Sequence, residues 1–400
     1  MKIYEIGTGY TPIPAKMGAA TEIVVEELTK SFLNGGKDVE IIDIKSSNRE
    51  KNKLPIVEVY VPNLFAGTDV QLGIMHKIKR VVYSINLAQK LIRIIKQNNE
   101  KVVLHFHNQY NLFFFLKMTS KNIRKKCYIA YTNHSYIWHG EWKNIYKTIK
   151  KKYFQEVYSM KNADAVFVLN EHTVQTLENF VGILPGKIKL IDNGVNTKIY
   201  HPKTIDEVQE FKKKQGFDGK QVFLQIGSVC DRKNQLGSIE LLLPILKEKS
   251  DYVFLYAGGI ISEEYQQQIN DFVKKNGIQD KVKYLGELKP GKELNNYYNL
   301  SDALIFPSKS EGFSLVIIEA MAAGVPVIID DKLQFKLSNE CLKFNNQKEF
   351  EGIIRSQIMD KDAQKHLSEK VRNAVVMNYS WDKISQEYFE IWNQGEKHVK

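Results

Sequence analysis

Two glutamates, Glu311 and Glu319, lie eight positions apart in an otherwise apolar run, S-E-G-F-S-L-V-I-I-E-A-M-A-A-G-V-P-V-I. On a helix, residues eight apart are separated by about 80° around the axis and about 12 Å along it. If a helix begins near Phe313 and ends at Gly324, Glu311 lies just before it and Glu319 two turns inside. Both carboxylates are then expected near one side of the same helix.

The start of this predicted helix could bind a phosphorylated sugar. The turn contains Gly312, Phe313, Ser314 and Leu315, and free backbone N–H groups at a helix N-terminus suit phosphate. A neighbouring carboxylate could accept hydrogen bonds from sugar hydroxyls. The competing interpretation is that Glu311 only complements the helix dipole and Glu319 lies on the surface. The residues alone leave both interpretations open.

A second candidate region is Q-I-G-S-V-C-D-R-K-N-Q, residues 225–235, directly after a predicted strand. The adjacent cations Arg232 and Lys233 could stabilise the negative charge that grows on a departing diphosphate. Such stabilisation is stronger in the transition state than in the ground state. The alternative is a solvated pair of basic side chains in a loop.

Histidines follow two further predicted strands. His134 stands in Y-T-N-H-S-Y, and His105, His107 and Asn108 form H-F-H-N. We expect the side chains of His105 and His107 to diverge, so that one of them faces an acceptor together with Asn108. A histidine pair that binds a metal is therefore not predicted, and no acidic D-x-D pair suggests a metal site elsewhere.

These residues lie in an alternation of short apolar strands and amphipathic helices. The predicted strands are residues 38–44, 102–105, 128–131, 165–169, 187–191, 221–226, 252–257, 281–285 and 301–307, and a helix is predicted over 21–34. This alternation predicts parallel sheets covered by helices. A polar segment with Pro202 places a boundary near residue 200, giving two doubly wound, Rossmann-like α/β domains that face each other across a cleft. Ligands of such sheets bind beyond the carboxyl ends of the strands.

Several other classes fit poorly. Gly7 and Gly9 follow the first strand, but the third glycine of a dinucleotide fingerprint would fall on Pro12. Three cysteines far apart suggest neither a zinc site nor disulfides, and thus a reducing compartment. No signal peptide or apolar run long enough to span a membrane is recognised. We expect a cytoplasmic protein without a dinucleotide cofactor.

The E-x7-E run, together with I-D-N-G-V-N-T-K-I-Y-H-P (residues 191–202), N-A-D-A-V-F-V-L-N-E (162–171) and Y-S-W-D-K-I (379–384), resembles the retaining glycosyltransferases of family 4, which have the GT-B fold. The resemblance implies an N-terminal acceptor-binding domain (residues 1–200) and a C-terminal nucleotide-sugar-binding domain (201–378). It also implies that a C-terminal helix (379–400) returns to the N-terminal domain. A nucleotide diphosphate sugar, preferably a UDP-sugar, is the implied donor, and no cofactor or obligatory metal is implied.

The resemblance also assigns roles. Glu311 would contact the donor sugar, Glu319 the ribose, and the 312–315 turn the sugar and diphosphate. Lys233 matches the family's lysine, whereas Ser228 follows Gly227 where the family usually has arginine, so Arg232 is the candidate for the second cation. His134 matches a histidine that reaches the donor sugar through its backbone or its side chain. Gly18 is what remains of a glycine pair near the diphosphate.

The positive charge is one-sided. Residues 1–200 hold 29 Lys+Arg against 17 Asp+Glu, whereas residues 201–400 hold 28 against 29. The stretches His76–Lys96 and Trp142–Phe154 mix lysines with apolar residues, which suits an anionic membrane surface. We therefore expect a lipid-linked or glycan acceptor and peripheral attachment to the membrane through the first domain. The alternative is that these helices cover the sheet and their lysines face solvent.

Three rival functions remain on the sequence alone. A catalytically impaired sugar-binding scaffold would explain the serine at 228. A nucleotide-sugar epimerase could share the fold, but the E-x7-E spacing argues against it. A nucleic-acid binder would explain the basic half and not the second domain, so nucleic acid is not an expected partner.

Overall fold

The computed structural model describes residues 1–14, 20–62, 74–139, 146–311, 313–333 and 336–397. The chain divides into two compact units. Unit 1 consists of Met1–Gly194 and Trp381–Lys400, and unit 2 of Val195–Ser380. The boundaries predicted from the sequence were residues 200 and 379.

Unit 1 contains a parallel sheet of seven described strands in the order β3-β2-β1-β4-β5-β6-β7. Its strands are β1 (Lys2–Ile6), β2 (Val39–Ile44), β3 (Ile56–Val59), β4 (Val102–Phe106), β5 (Cys127–Thr132), β6 (Ala165–Val168) and β7 (Ile188–Leu190). Its first helices are α1 (Ala20–Asn34), α2 (Ile74–Gln97), α3 (Gln109–Met118), α4 (Lys121–Arg124), α5 (Tyr146–Lys152), α6 (Phe154–Asn162) and α7 (Glu171–Thr176). Short 3₁₀ or π turns cover Tyr136–His139, Leu177–Val181 and Pro185–Lys187.

Unit 2 contains a second parallel sheet, in the order β10-β9-β8-β11-β12-β13 over the described residues. Its strands are β8 (Gln221–Ile226), β9 (Tyr252–Ala257), β10 (Val282–Tyr284), β11 (Ala303–Phe306), β12 (Val327–Asp330) and β13 (Leu342–Phe344). Its helices are α8 (Ile205–Gln215), α9 (Gln235–Glu248), α10 (Glu263–Asn276), α11 (Lys292–Leu300), α12 (Leu315–Ala322), α13 (Gln347–Ile353) and α14 (Lys361–Asn378). The turns Lys336–Glu340 and Ile354–Ile358 complete the unit.

The central strands form because their residues are apolar on both faces, as parallel strands covered by helices on both sides require. Every residue of β11, A-L-I-F, is buried, and so is every residue of β9. The strand order reverses between β1 and β4 in unit 1 and between β8 and β11 in unit 2. The prediction of two doubly wound parallel sheets is confirmed. The carboxyl ends of the strands beside these two reversal points are where ligands of such sheets bind.

The C-terminal helix α15 (Trp381–Lys397) belongs to unit 1. It packs on α1, and its side chains Ile384, Tyr388 and Trp392 are buried. The ring of Trp392 lies 5.4 Å from that of Phe32 on α1. Unit 1 is thus built from two distant parts of the chain, with all of unit 2 between them in sequence.

Candidate active site

The loop after β8 in unit 2 is shaped by close backbone approaches. Gly227 has φ of +149°, and a Cβ there would lie 3.4 Å from carbons of the Lys233 side chain. Gly258, at the end of β9, has φ of +144°, and a Cβ there would collide with the carbonyl oxygen of Gly227. A side chain at either position is strained, since few L-residues adopt this backbone conformation. These glycines let the loop fold back close to the end of β8.

Two buried glutamines hold the loop in place. Gln225 Nε2 donates to the carbonyl oxygen of Lys233 at 2.7 Å, and Ser238 Oγ donates to Gln225 Oε1 at 2.6 Å. Gln235 Nε2 donates to the carbonyl oxygen of Ser228 at 3.0 Å. The side chains of Gln225 and Gln235 are buried, so these hydrogen bonds are shielded from water. The backbone that carries Arg232 and Lys233 is therefore fixed from both ends.

Glu311 forms ion pairs with both cations of this loop. Its Oε1 lies 2.8 Å from Arg232 Nη1 and 2.6 Å from Lys233 Nζ, and it accepts a hydrogen bond from Ser308 Oγ at 2.7 Å. The loops are also joined through the main chain, since Lys309 N donates to the carbonyl oxygen of Arg232 at 2.9 Å. The structure thus brings Glu311 next to an Arg–Lys pair that lies almost 80 positions earlier in the sequence.

Lys233 is a largely buried cation in this cluster. Burial lowers the pKa of its ammonium group, and the neighbouring Arg232 acts in the same direction, whereas the Glu311 carboxylate raises it. Lys233 Nζ also lies 4.9 Å from the centroid of the Phe306 ring at the end of β11. Arg232 is more exposed, at 40% of its side chain against 12% for Lys233. The cluster carries two positive charges and one negative, a net charge that favours an anion.

The second glutamate is held separately. Glu319 lies in α12 and is buried, and its Oε2 accepts a hydrogen bond from Tyr298 Oη at 3.0 Å. Tyr298, on α11, is fully buried, and burial raises the pKa of its phenol well above the ordinary value, so the phenol stays a donor. The structure does not place Glu319 on the surface, which contradicts that part of the competing interpretation, while a role of Glu319 in binding the donor stays a prediction.

Helix α12 begins at Leu315, two residues later than predicted. Ser314 is its buried N-cap residue but makes no side-chain capping hydrogen bond, and Phe313 packs against the core of unit 2. Backbone N–H groups of the first turn of a helix have no partner within the helix. The predicted site residues Gly312 and Gly18 lie outside the described residues.

In unit 1, a buried carboxylate joins the histidines. Glu5 Oε1 lies 3.0 Å from His105 Nδ1, and Glu5 Oε2 lies 2.8 Å from His107 Nε2. His107 Nδ1 lies 2.9 Å from His134 Nε2. The expectation that the side chains of His105 and His107 diverge was wrong, because residues two apart along a strand face the same side and both rings reach one carboxylate from β1. Among the described residues, both nitrogens of His107 are engaged.

Asn108 has a structural role in the fold. Its Oδ1 accepts from the backbone N–H of Tyr110 at 2.9 Å and caps α3, and its Nδ2 donates to Tyr10 Oη at 3.1 Å. Contact of His107 and Asn108 with an acceptor remains a prediction. A direct hydrogen bond to a ring nitrogen of His107 would have to replace one that it makes here, whereas the Asn108 amide has a second N–H to donate.

Glu5, His105 and His107 offer ligand atoms within 4.8 Å of one another. This spacing would admit a metal ion, but here each of the two imidazole rings is hydrogen-bonded to the Glu5 carboxylate. That no metal is needed also remains a prediction.

Four residues of these clusters were not predicted from the sequence: Glu5, Ser308, Tyr298 and Gln225. Glu5 carried a usable signal, because it is the only acid in the apolar strand K-I-Y-E-I and a charge in a buried strand needs partners. Ser308, Tyr298 and Gln225 carried none, since the loop folding and helix packing that bring their hydrogen-bond partners close cannot be read from the sequence.

None of the described helices is both long and apolar enough to cross a lipid bilayer.

Comparisons with known proteins cover both halves of the chain. Residues 21–199 match the family described as Glycosyltransferase Family 4, and residues 207–374 match Glycosyl transferases group 1. The O-antigen chain mannosyltransferase RfbU of Salmonella typhimurium is 27% identical over 341 residues, 84% of each chain. The alpha-galactosylglucosyldiacylglycerol synthase of Streptococcus pneumoniae is 24% identical over 359 residues, 86% of this chain and 91% of that protein.

Solved structures agree in fold. The crystal structure of Anabaena HepE in complex with UDP and glucose superposes with a TM-score of 0.73, at 14% identity, over 98% of this chain and 99% of that one. At this level of identity the similarity shows the fold alone.

Proposed function

The chain belongs to the family 4, group 1 glycosyltransferases, and we propose that it transfers a hexose or N-acetylhexosamine from a UDP-sugar, with retention of configuration, to a glycan or lipid-linked acceptor. The observation that carries the proposal is the cluster of Arg232 and Lys233 on Glu311, at the carboxyl ends of β8 and β11 beside the reversal point of the sheet. A diphosphate is the anion that such a site suits in this family.

In the proposed reaction, the bond between the anomeric carbon and the β-phosphate oxygen breaks as charge accumulates on the diphosphate. Lys233 and Arg232 stabilise that charge, and because they are preorganised by Glu311 and the fixed loop, little reorganisation is needed during the step. The acceptor oxygen bonds to the anomeric carbon from the face that the phosphate leaves, and its proton passes to a phosphate oxygen. Arg232 takes the place of the arginine that the family usually has at the position of Ser228.

Glu319 and the start of α12 complete the proposed donor site. The buried Glu319 carboxylate, oriented by Tyr298, would accept hydrogen bonds from the ribose hydroxyls of the nucleotide. Phe313, Ser314 and Leu315 would offer main-chain N–H groups to the diphosphate, as helix N-termini commonly do. His134, in unit 1, would contact the donor sugar. Uridine is preferred because the family uses UDP-sugars most often, and HepE, a structural neighbour, binds UDP.

The acceptor is proposed to lie at a membrane surface. Four side chains at the start of α2 are exposed and apolar: Ile74, Met75, Ile78 and Val81. Ile74, Ile78 and Val81 share one face of the helix, with Lys77 exposed beside them. An apolar stripe flanked by positive charge suits anionic lipid. The names of RfbU and of the alpha-galactosylglucosyldiacylglycerol synthase, which point to polysaccharide and glycolipid synthesis, support such an acceptor. The stretch Trp142–Phe154 lies partly outside the described residues.

The first experiment measures binding of UDP, GDP and ADP and their sugar conjugates, together with turnover, for the wild type and two lysine variants. A ligand at a hundredfold excess over its dissociation constant stabilises the native state by about 2.7 kcal/mol, so the unfolding temperature should rise with UDP. Lys233→Met should lower kcat about 100-fold or more, the effect of removing one preorganised charge-stabilising group.

The matched control is Lys309→Met. Lys309 lies in the neighbouring loop and makes an exposed ion pair with Asp231 at 2.7 Å, so kcat should stay within about twofold. Equal activity of Lys233→Met and the wild type would refute the assigned role of Lys233. Binding of UDP without any turnover would favour the sugar-binding scaffold instead. The anomeric configuration of the product, read by NMR, decides whether the reaction retains it.

A further inference from the structure

A chain of buried polar groups in unit 1 ends at His134, and its geometry determines where each proton sits. The chain runs from Tyr388 Oη to Thr132 Oγ1 at 3.2 Å and from Thr132 Oγ1 to His105 Nε2 at 2.7 Å. It continues through Glu5 and His107 to His134. All members before His134 are buried, whereas His134 is partly exposed. A ligand can therefore meet this chain at its His134 end.

Glu5 sets the direction of the hydrogen bonds. Burial alone would raise the pKa of its carboxyl group, but His105 and His107 outweigh that effect and lower the pKa to about 2. An ionised carboxylate only accepts hydrogen bonds. The two imidazole nitrogens that face it, His105 Nδ1 and His107 Nε2, must therefore both carry a proton.

The proton on His107 Nε2 determines the state of the next ring. Burial lowers the pKa of His107 to about 4, so the ring is neutral at pH 7 and its Nδ1 carries a lone pair. That nitrogen lies 2.9 Å from His134 Nε2, which must then donate a proton to it. The partial burial of the His134 ring, together with the neighbouring histidines, also lowers the pKa of His134 well below its ordinary value. A neutral His134 with a proton on Nε2 has its lone pair on Nδ1.

We propose that Glu5 is a positioning residue of the transfer reaction, which acts through His107 to hold His134 in the tautomer that presents the Nδ1 lone pair to a hydroxyl of the bound sugar. The inference rests on the proposed function. A lone pair accepts a hydrogen bond from a hydroxyl but repels an anionic phosphate oxygen. This end of the site therefore selects the carbohydrate part of a ligand.

The tautomer is measured directly in the full-length wild-type chain by nitrogen NMR of ¹⁵N-labelled histidine, with His134→Ala to assign the signals. The expected result at pH 7 is a neutral His134 with the proton on Nε2. A proton on Nδ1, or a charged ring, would overturn the proposal. This result does not depend on turnover, so it is distinguishable from a failure of the proposed function, which would appear as absence of sugar transfer by the wild type.

The role of Glu5 is tested by a double-mutant cycle on kcat/KM. Glu5→Leu removes the acceptor that fixes the tautomer, so His134 should populate both tautomers and kcat/KM should fall about tenfold or more. In a His134→Ala background, Glu5→Leu should have no further effect, since coupled residues are not additive. If the loss of kcat/KM in the double variant equals the product of the losses in the two single variants, Glu5 does not act through His134.

A variant in the other arm of the chain serves as the control. Thr132→Val removes the partner of His105 Nε2 and leaves the Glu5–His107–His134 arm intact, so the His134 tautomer should stay as in the wild type. If Glu5→Leu does not fold, Glu5→Asp takes its place. The shorter carboxylate cannot reach both rings at hydrogen-bonding distance, and the same loss of a single His134 tautomer is expected. A Glu5→Asp variant that keeps one His134 tautomer and yet loses activity would contradict the proposal.

Discussion

Glu156 on α6 is a buried acid outside the clusters described above. Its Oε1 accepts hydrogen bonds from Tyr131 Oη at 3.0 Å and from Asn133 Nδ2 at 2.8 Å. Burial raises the pKa of its carboxyl group to about 7, against the opposing effect of these hydrogen bonds. The folded state therefore holds a proton that the unfolded state releases at a lower pH. Asn133 directly precedes His134, so this acid also supports the turn that carries the histidine.

Glu156→Gln is expected to change how stability depends on pH. Because the folded pKa lies above the unfolded value, the contribution of Glu156 is fully present below about pH 4.5 and is lost as the pH rises through 7. The amide of glutamine stays neutral and can still accept from Tyr131 and Asn133. At pH 8 the free energy of unfolding of the variant should exceed that of the wild type by about 1–3 kcal/mol. This difference should shrink towards pH 5.

Urea unfolding of unit 1 at pH 5, 6, 7 and 8 measures this effect. Glu40→Gln is the control, because Glu40 forms a partly exposed ion pair with Lys2 at 2.9 Å. The stability of this variant should differ little from that of the wild type at every pH. A constant offset between Glu156→Gln and the wild type from pH 5 to 8 would show that Glu156 does not titrate in this range.

At the scale of single elements, helix α2 carries the proposed membrane contact. The double variant Ile74→Ser/Ile78→Ser removes two exposed apolar side chains from its first two turns without touching the core. It should reduce co-sedimentation with vesicles of phosphatidylserine and phosphatidylcholine severalfold, because binding scales with the apolar area that enters the interface.

Ile205→Ser is the matched control for this prediction. Ile205 begins α8 in unit 2 and is 75% exposed, against 76% for Ile74, so its replacement should leave vesicle binding unchanged. If the wild type binds neutral and anionic vesicles equally, positive charge does not contribute to membrane binding. If the double variant binds vesicles as well as the wild type, the contact is not made through α2.

Long apolar elements were predictable, and contacts between elements were not. The strand over residues 221–226 was predicted with its observed bounds, and the helix predicted over 21–34 ends at Asn34 as expected. The edge strand β3 escaped prediction, because four residues between polar segments give no periodic signal. The glutamate spacing and the Arg232–Lys233 pair could be read from the sequence. That Glu311 binds both cations depends on β8 and β11 being neighbours, which only the folded sheet determines.

At the scale of the whole chain, unit 1 depends on its last segment. Trp392 is fully buried, and its ring packs 5.4 Å from that of His105 as well as against Phe32. Trp392→Ala should destabilise unit 1 by about 3–5 kcal/mol, the usual cost of removing a large buried aromatic side chain. Limited proteolysis should then cleave unit 1 at lower urea concentrations while the fragment covering unit 2 survives as in the wild type.

Met377→Ala provides the control. Met377 is 72% exposed on α14, so its replacement should not change the stability of either unit. Simultaneous loss of both units in Trp392→Ala would show that they unfold as one cooperative body, contrary to this prediction.

The interrupted layout of unit 1 also has a consequence for the order of events on the ribosome. Unit 2 is continuous from Val195 to Ser380, so all of its strands have been synthesised before the first residue of α15 exists. Unit 1 has its whole sheet much earlier but lacks the helix that covers the apolar side of α1. Unit 1 is therefore begun before unit 2 and completed after it. During translation its uncovered apolar surface would be a binding site for chaperones, until α15 leaves the exit tunnel.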